Sequence, residues 1–384
     1  MPYHTSRSAI KAGRTCRRLR YNQYHALGTG LVPGGKVSVD LLVGTAMHTA
    51  AEHLLKGGDP AGATIAALES LDLEAQWMRS NGMPFDCRED TLRLIELMTH
   101  LFARRAMPEI VEKYDVSEVE SDSSHTLCHV GGDPVELEIK PDAKLRNVST
   151  EEVGAFSLKT ISKYAPWVMQ RDQMELQNFT EPWAVGGTFV QMCYMVKGSK
   201  GRDGIAYDNS LLYPYWNRKN DHWSWAYKYL GDDGKSHNLG KDWERVPIWE
   251  HMSTPTWLNM VDTLHSPGAP WPWHRVKPYD KWVILPLPVG RSESQIRRQM
   301  TVLQIEERGH FENLNKLGDR EDQREILDQF FPAEGTDCAT PSHVCSYFTA
   351  CLSDWTPAQM RQFGFVPRTP HHAGELAAME DSDA

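Results

Sequence analysis

Near residue 115 the hydrophobic pattern of this chain changes period. Before that point apolar residues recur at helical spacing. One helix is expected over 6–26 with Ser6 as its cap, and a second along "VSVDLLVGTAMHTAAEHLLKGG", stopping at the Gly57-Gly58 pair. A third helical run, roughly 62–113, is interrupted at "NGMPFD". Beyond it, "VSEVES", "SSHTLCHV", "VELEIKPDAKLR" and "GAFSLKTI" are short, turn-bounded and partly alternating, which is the pattern of strands. A helix over about 166–184 and the strand "GTFVQMCYMVKG" follow. The expected class is therefore α/β, a sheet flanked by helices.

The rest of the chain divides by composition. Residues 201–290 are rich in Trp, Pro, Gly and Asp and read as short strands and long loops, ending in "DKWVILPLPV". Aromatic clustering of this kind suits a loop-stabilising mini-core better than a base-stacking surface. Residues 291–331 read as a long charged helix or helix pair, and "HHAGELAAMEDSDA" as a disordered acidic tail. The expected units are 1–115, 116–200, 201–290, 291–355 and a flexible 356–384.

No run of eighteen apolar residues is present, so a membrane span is not expected. The N-terminal stretch is basic without an apolar segment behind it and does not read as a signal peptide, which makes the cytoplasm the expected location. A net charge of −10 argues mildly against a polyanionic partner. Its distribution softens that argument, because Arg7, Lys11, Arg14, Arg17, Arg18 and Arg20 fall in the first twenty-five residues with no Asp or Glu. Such a strip suits either DNA contact, with Arg17, Arg18 and Arg20 as candidates, or a solvated helix face.

The chemistry concentrates in 135–164. Hydrolysis of a phosphodiester with Mg²⁺ or Mn²⁺ needs hard oxygen ligands for the ion and a cation to orient or activate water. Here an Asp (Asp142) lies near a turn, and a Lys (Lys159) lies on the following apolar run. Residues two apart on a strand share a face, so position 157 faces the same side as Lys159, and Glu136, Glu138, Lys140 and Asp142 share one face if their strand is regular. An ordinary solvent-exposed strand face would look the same.

Taken together, five segments resemble the RecB-like branch of the PD-(D/E)xK nuclease superfamily, in particular its iron–sulfur members such as the AddB nucleases and the CRISPR-associated adaptation exonucleases. They are "TSRSAIKAGRTCRRLRYNQY", "GTAMHTAAEHLL", the strands bearing Asp142 and Lys159, "QRDQMELQNF" followed by "GTFVQMCYMVKG", and "FFPAEGTDCATPSHVCSYFTAC". The order and spacing extend over about 350 residues. The resemblance implies a restriction-endonuclease-like core with a mixed central sheet, an N-terminal helical lobe and a C-terminal iron–sulfur segment. It implies a deoxyribonuclease, an exonuclease or end-processing enzyme of recombination, repair or phage replication. It also implies His48 and Asp142 as metal ligands, Lys159 as the water-positioning or charge-stabilising cation, and Gln173 as orienting Lys159 or the scissile phosphate. Gln177 falls where relatives often carry Tyr.

One position departs from that pattern: Ser157 stands where the second carboxylate is usual. A neutral hydroxyl is a weak ligand for Mg²⁺. Glu138 is the first candidate to replace it, because it can point into the same cleft, whereas Glu151 and Glu152 lie just before the Lys strand and Glu152 would need a bulge or bend. An impaired nuclease that still binds DNA is the alternative reading; a structural metalloprotein whose Trp-rich region binds another protein is a third.

Among the seven cysteines, Cys338, Cys345 and Cys351 cluster near the C-terminus. With Cys16 they would supply four thiolates, which suit an iron–sulfur cluster or Zn²⁺ equally. The resemblance favours a 4Fe–4S cluster, although the spacing is wider than the Cys-x-x-Cys pair of many relatives. Such a clasp would join the first helix to the last segment. No Walker A glycine loop is present, so a helicase or recombination motor would be a separate partner.

Overall fold

The structure, a computed structural model, describes residues 2–34, 39–80, 88–163, 165–198, 209–219, 221–224, 228–230, 233, 235–264, 282–333, 338–340 and 343–368. "NGMPFD" and the acidic segment after residue 368 lie outside them. The chain is mixed α/β. A six-stranded mixed sheet runs in the order Val283–Ile284, Phe189–Val196, Val153–Ile161, Ala143–Asn147 and Tyr114–Ser117, with Val289–Gly290 also paired to Phe189–Val196. Its two central strands, Val153–Ile161 and Phe189–Val196, are parallel, with Ser157 opposite Met192 and Lys159 opposite Tyr194.

Alternation along Val153–Ile161 sorts its side chains by face. Phe156 and Leu158 join the main core under the helical lobe, where Val39–Leu55, Pro60–Ser80 and Glu89–Leu101 contribute Met47, Ala67, Leu94 and Met98. Ala155 points the other way, packing with Val190, Met192, Tyr194 and Val168 of the helix Pro166–Gln173. Ser157 and Lys159 share that second face, away from the oily lobe and toward the helices that follow.

A separate three-stranded sheet holds Tyr3–Ser6, parallel to Asp133–Ile139, which is antiparallel to Ser123–Val130. The expected continuous strand "VELEIKPDAKLR" is thus two strands in two sheets, Asp133–Ile139 and Ala143–Asn147. Pro141 stands in the gap; it has no N–H to give to a ladder, so pairing stops and the chain changes sheets. Glu138 and Asp142 consequently do not share a strand face.

Other elements also divide. The helix expected over 6–26 breaks at Cys16, whose extended backbone (φ −164°, ψ 126°) separates Arg7–Thr15 from Arg17–Tyr24. The helix expected over 166–184 becomes Pro166–Gln173 and Gln177–Val185. Glu293–Leu317, capped by a reciprocal Ser292–Gln295 box, packs Ile296, Met300 and Leu303 on Leu127, Leu137 and Ile139 of the smaller sheet. In the Trp-rich region Trp216 stacks on Trp223 at 5.5 Å, and Trp223 meets the buried Trp257 of the unforeseen helix Thr254–Leu264 at 5.9 Å. Part of the expected flexible tail is built in: Pro357–Gln362 is helical, and Phe365–Pro367 pairs with Leu31–Pro33. Among the described residues no helix is long and apolar enough to cross a membrane.

Two of the three arginines expected at a DNA surface face inward. Arg18, 1% exposed, donates to the Phe331 carbonyl at 2.7 Å and to the Asp328 carboxylate. Arg20, 3% exposed, meets both oxygens of Glu307 at 2.6 Å and donates to Thr5 Oγ1. Both tie the first helices to the long C-terminal helix and its successor rather than presenting charge to solvent, whereas Arg17 is exposed. Removing one member of a buried pair strands its partner's charge, which costs about 3–5 kcal/mol. Glu307→Ala is therefore expected to lower Tm in circular-dichroism melts, whereas Asp115→Ala, which removes an exposed partner of Arg146, leaves it unchanged. An unaltered Tm for Glu307→Ala would show that this pair does not anchor the first helices.

Candidate functional site

Asp142 lies in the turn before Ala143–Asn147, 8% exposed, where that strand starts to pair with Val153–Ile161. One carboxylate oxygen, Oδ2, accepts the backbone N–H of Leu158 at 2.5 Å, which pins the side chain to the strand carrying Ser157 and Lys159. The other, Oδ1, lies 2.6 Å from Nδ1 of His48, delivered by the helix Val39–Leu55 from the opposite lobe. Burial by itself would raise the Asp142 pKa, but the His48 charge and these hydrogen bonds hold it below the usual carboxylate range. Burial likewise opposes charge on His48, yet the adjacent Asp142 lifts it to about 9.

A third group completes the cluster. Glu120 follows the strand Tyr114–Ser117, and its N–H donates to the Asp142 carbonyl at 3.0 Å. Its φ of +52°, unusual for a residue with a side chain, puts the carboxylate beside the other two. Ligand atoms of His48, Glu120 and Asp142 lie within 4.8 Å of one another. Burial and the Asp142 charge push the Glu120 carboxyl up to about 7, despite Lys140 at 2.7 Å. Two crowded carboxylates with an imidazole form a donor set that a hard divalent cation satisfies: it neutralises their repulsion and accepts water or phosphate oxygen at its remaining positions.

Glu138, the first expected replacement for the missing acid, lies elsewhere. It sits in the smaller sheet opposite Ser6, with His4 Nδ1 at 2.8 Å, and is not part of the three-residue cluster. Glu151 and Glu152 are exposed in the turn before the Lys strand. Sequence reasoning missed Glu120 because no spacing rule links it to Asp142; an entire sheet excursion separates them, and the left-handed turn that aims it is set by tertiary pairing. Its acidic character near a strand end was the available signal.

Ser157, 3% exposed, is engaged by the side-chain N–H of Gln177. Gln177 also donates to Oε1 of Glu181 at 2.9 Å, and Arg7 donates to the same oxygen at 2.5 Å. Burial, opposed by Arg7 and reinforced by the Asp142 charge, pushes the Glu181 carboxyl up to about 7. A half-buried amide and a buried carboxyl thus back the serine where a carboxylate was expected. Gln173 is exposed on its helix, with its carbonyl accepting from Arg291, so Gln177 is the glutamine that meets the Lys strand.

Lys159 extends to Oε2 of Glu175 at 3.2 Å and lies 3.7 Å from Oδ2 of Asp172. It opens onto a cleft of about 470 Å³ in which Arg7, Lys11 and Arg14 from the first helix face Glu175 and Gln177. The cations Arg7, Lys11 and Arg14 recur at three- and four-residue intervals, one face of a helix.

The four cysteines lie apart from this cluster of acids and imidazole. Cys16 stands at the break in the first helices, Cys345 N–H donates to the Cys338 carbonyl at 2.8 Å, and Cys351 lies in the short helix Phe348–Leu352. Burial, opposed by Arg18 and reinforced by Cys16 and Cys345, pushes the Cys351 thiol up to about 11, which marks these three sulfurs as neighbours.

No family model matches the sequence, and no curated protein matches it. Among solved structures the chain is similar to the crystal structure of SSO0001, with 14% identity and a TM-score of 0.19 over 43% of this chain and 63% of that one.

The cluster makes a direct prediction for metal binding. In calorimetric titrations with Mn²⁺, Asp142→Asn and Glu120→Gln are expected to weaken binding at least about tenfold, the scale on which even supporting groups around metal ligands act. Glu138→Gln is expected to bind as the unaltered protein does, and an equal loss there would relocate the ion.

Proposed function

We propose that the protein is a divalent-metal-dependent deoxyribonuclease of the PD-(D/E)xK type, with a restriction-endonuclease-like core. The observation that carries this reading is the convergence of His48, Glu120 and Asp142 within 4.8 Å, with Asp142 hydrogen-bonded to the strand that carries Lys159. Asp142, Glu120 and neutral His48 would hold Mg²⁺ or Mn²⁺. Bound there, the ion supplies a polarised water nucleophile and neutralises charge on the phosphate.

The chain's own side chains do the rest. Arg7, Lys11 and Arg14 draw the phosphodiester backbone into the cleft. Lys159, held by Glu175 and Asp172, aims its ammonium where negative charge grows on the phosphorus oxygens as water oxygen bonds to phosphorus and the ester oxygen departs. In this reading Glu120 takes the part that Ser157 does not play, reaching the cluster from the opposite side of Asp142.

Cys16, Cys338, Cys345 and Cys351 would hold a 4Fe–4S cluster, the cofactor that the resemblance to iron–sulfur nucleases favours over zinc. Four thiolates suit either metal. The cluster's role is a clasp between the first helix and the C-terminal segment.

Ser157, already engaged by Gln177, favours a second reading, a DNA-binding protein of the same fold that has lost cleavage. One assay separates them. With linear DNA and Mn²⁺, the unaltered protein is expected to degrade substrate and Lys159→Ala to lose about 10²–10³-fold in rate, the scale of a removed charge-stabilising donor. Salt-dependent binding with no cleavage by either protein would establish the second reading and overturn the first. Independently, protein purified without oxygen is expected to be brown, with visible absorption bleached by dithionite and absent from Cys345→Ala; colourless protein would remove the cluster.

A further inference from the structure

The helix Pro166–Gln173 that follows the Lys159 strand presents an unusual surface. Trp167 is 61% exposed and Met174, its C-cap, is 77% exposed. Arg171 lies between them with its guanidinium carbon 5.6 Å from the centre of the Trp167 ring. Positions 167, 171 and 174 are separated by four and three residues, so the three side chains form one ridge along a single helix face. Two large apolar side chains thus stand in water beside a cation on one helix face.

The ridge is coupled to the site by a buried group. Asp172, 1% exposed, accepts from Arg171 Nε and NH2 at 3.0 and 2.9 Å through Oδ1, while its Oδ2 lies 3.7 Å from Lys159 Nζ. One carboxylate therefore sets the plane of Arg171 and faces the lysine of the cleft. Met174 itself lines that cleft, whose cations are Arg7, Lys11, Arg14 and Lys159. An apolar and aromatic ridge running into a basic groove offers ring faces on one side and phosphate partners on the other.

We infer that Trp167, Arg171 and Met174 form a stacking platform for unpaired nucleotides of single-stranded DNA, whose phosphates then fall to Lys159 and the basic face of the first helix. The inference rests on the nuclease reading above and adds the substrate form to it. A duplex keeps its base faces stacked on one another, whereas an unpaired base has a free π-face that a Trp ring or an Arg plane can cover. Among the described residues of the Trp-rich region, Trp216, Trp223 and Trp257 pack against each other.

The test measures binding separately from cutting. Fluorescence anisotropy in EDTA compares a labelled oligothymidylate of about twelve nucleotides, within the usual span of such sites, with a blunt duplex of the same length. The unaltered protein is expected to bind the single strand at least about tenfold more tightly than the duplex. Trp167→Ala is expected to lose about tenfold on the single strand and nothing on the duplex, and Trp167→Phe to stay within about threefold of the unaltered protein, as one stacked base would dictate. Because Trp167 is exposed, melting curves are expected to be unchanged in both variants. No binding of the single strand, a Trp167→Ala protein that binds it normally, or an equal loss on both substrates would overturn the platform. Trp167-dependent binding in EDTA without cleavage in Mn²⁺ would instead sink the nuclease reading and leave the platform standing.

Discussion

The hydrogen bond from the Leu158 amide to Asp142 is the contact on which the arrangement depends. It joins the turn after Pro141 to the strand that carries Ser157 and Lys159, and leaves the other carboxylate oxygen for His48. The two lobes thereby meet at one side chain: the helix Val39–Leu55 arrives from the oily core, and the sheet arrives from beneath. Glu120 is drawn in by its own backbone bond to the Asp142 carbonyl. Main-chain hydrogen bonds thus position Asp142 and Glu120, and the helix Val39–Leu55 brings His48 to them. Burial and then the nearby Asp142 charge raise the pKa of the Glu120 carboxyl, while at His48 burial is overcome by the Asp142 charge.

How much of this was legible in the sequence depends on the range of the interaction. Periodicity located the His48 helix, the Lys159 strand and the strand Phe189–Val196, because each buries a face whose pattern is local. The split at Pro141 was written in the sequence, yet "VELEIKPDAKLR" alternates well enough on both sides to look continuous, and reading it so placed Glu138 with Asp142. Glu120 was invisible for the opposite reason. Its position is set by a left-handed backbone and a partner twenty-two residues downstream, neither of which leaves a periodic trace. Gln177 in place of Gln173 has the same origin, since the helix breaks between them and the glutamine that turns toward the strand belongs to the second piece.

The basic N-terminal strip shows how composition can mislead while remaining informative. Its charge suited DNA contact through Arg17, Arg18 and Arg20 or a solvated helix face, but helical geometry divides the six cations and leaves Arg17 exposed. Arg7, Lys11 and Arg14 line the cleft, and Arg18 and Arg20 turn inward to Asp328 and Glu307. The break at Cys16 is what allows the change of face. The inward arginines hold the first helices to the C-terminal region, so the outward ones stay at a fixed distance from Lys159.

That division gives the cysteines a mechanical meaning. Cys16 stands between the cleft-lining helix and the helix whose arginines are buried. A cluster bonded there and to Cys338, Cys345 and Cys351 would fix that joint from outside, as the Arg18 and Arg20 pairs fix it from within. Fixing a joint costs entropy once, on folding, rather than at every encounter with substrate. On the proposed reading, then, the clasp would hold the phosphate-facing helix in register with the metal ligands, a task that electron transfer does not demand.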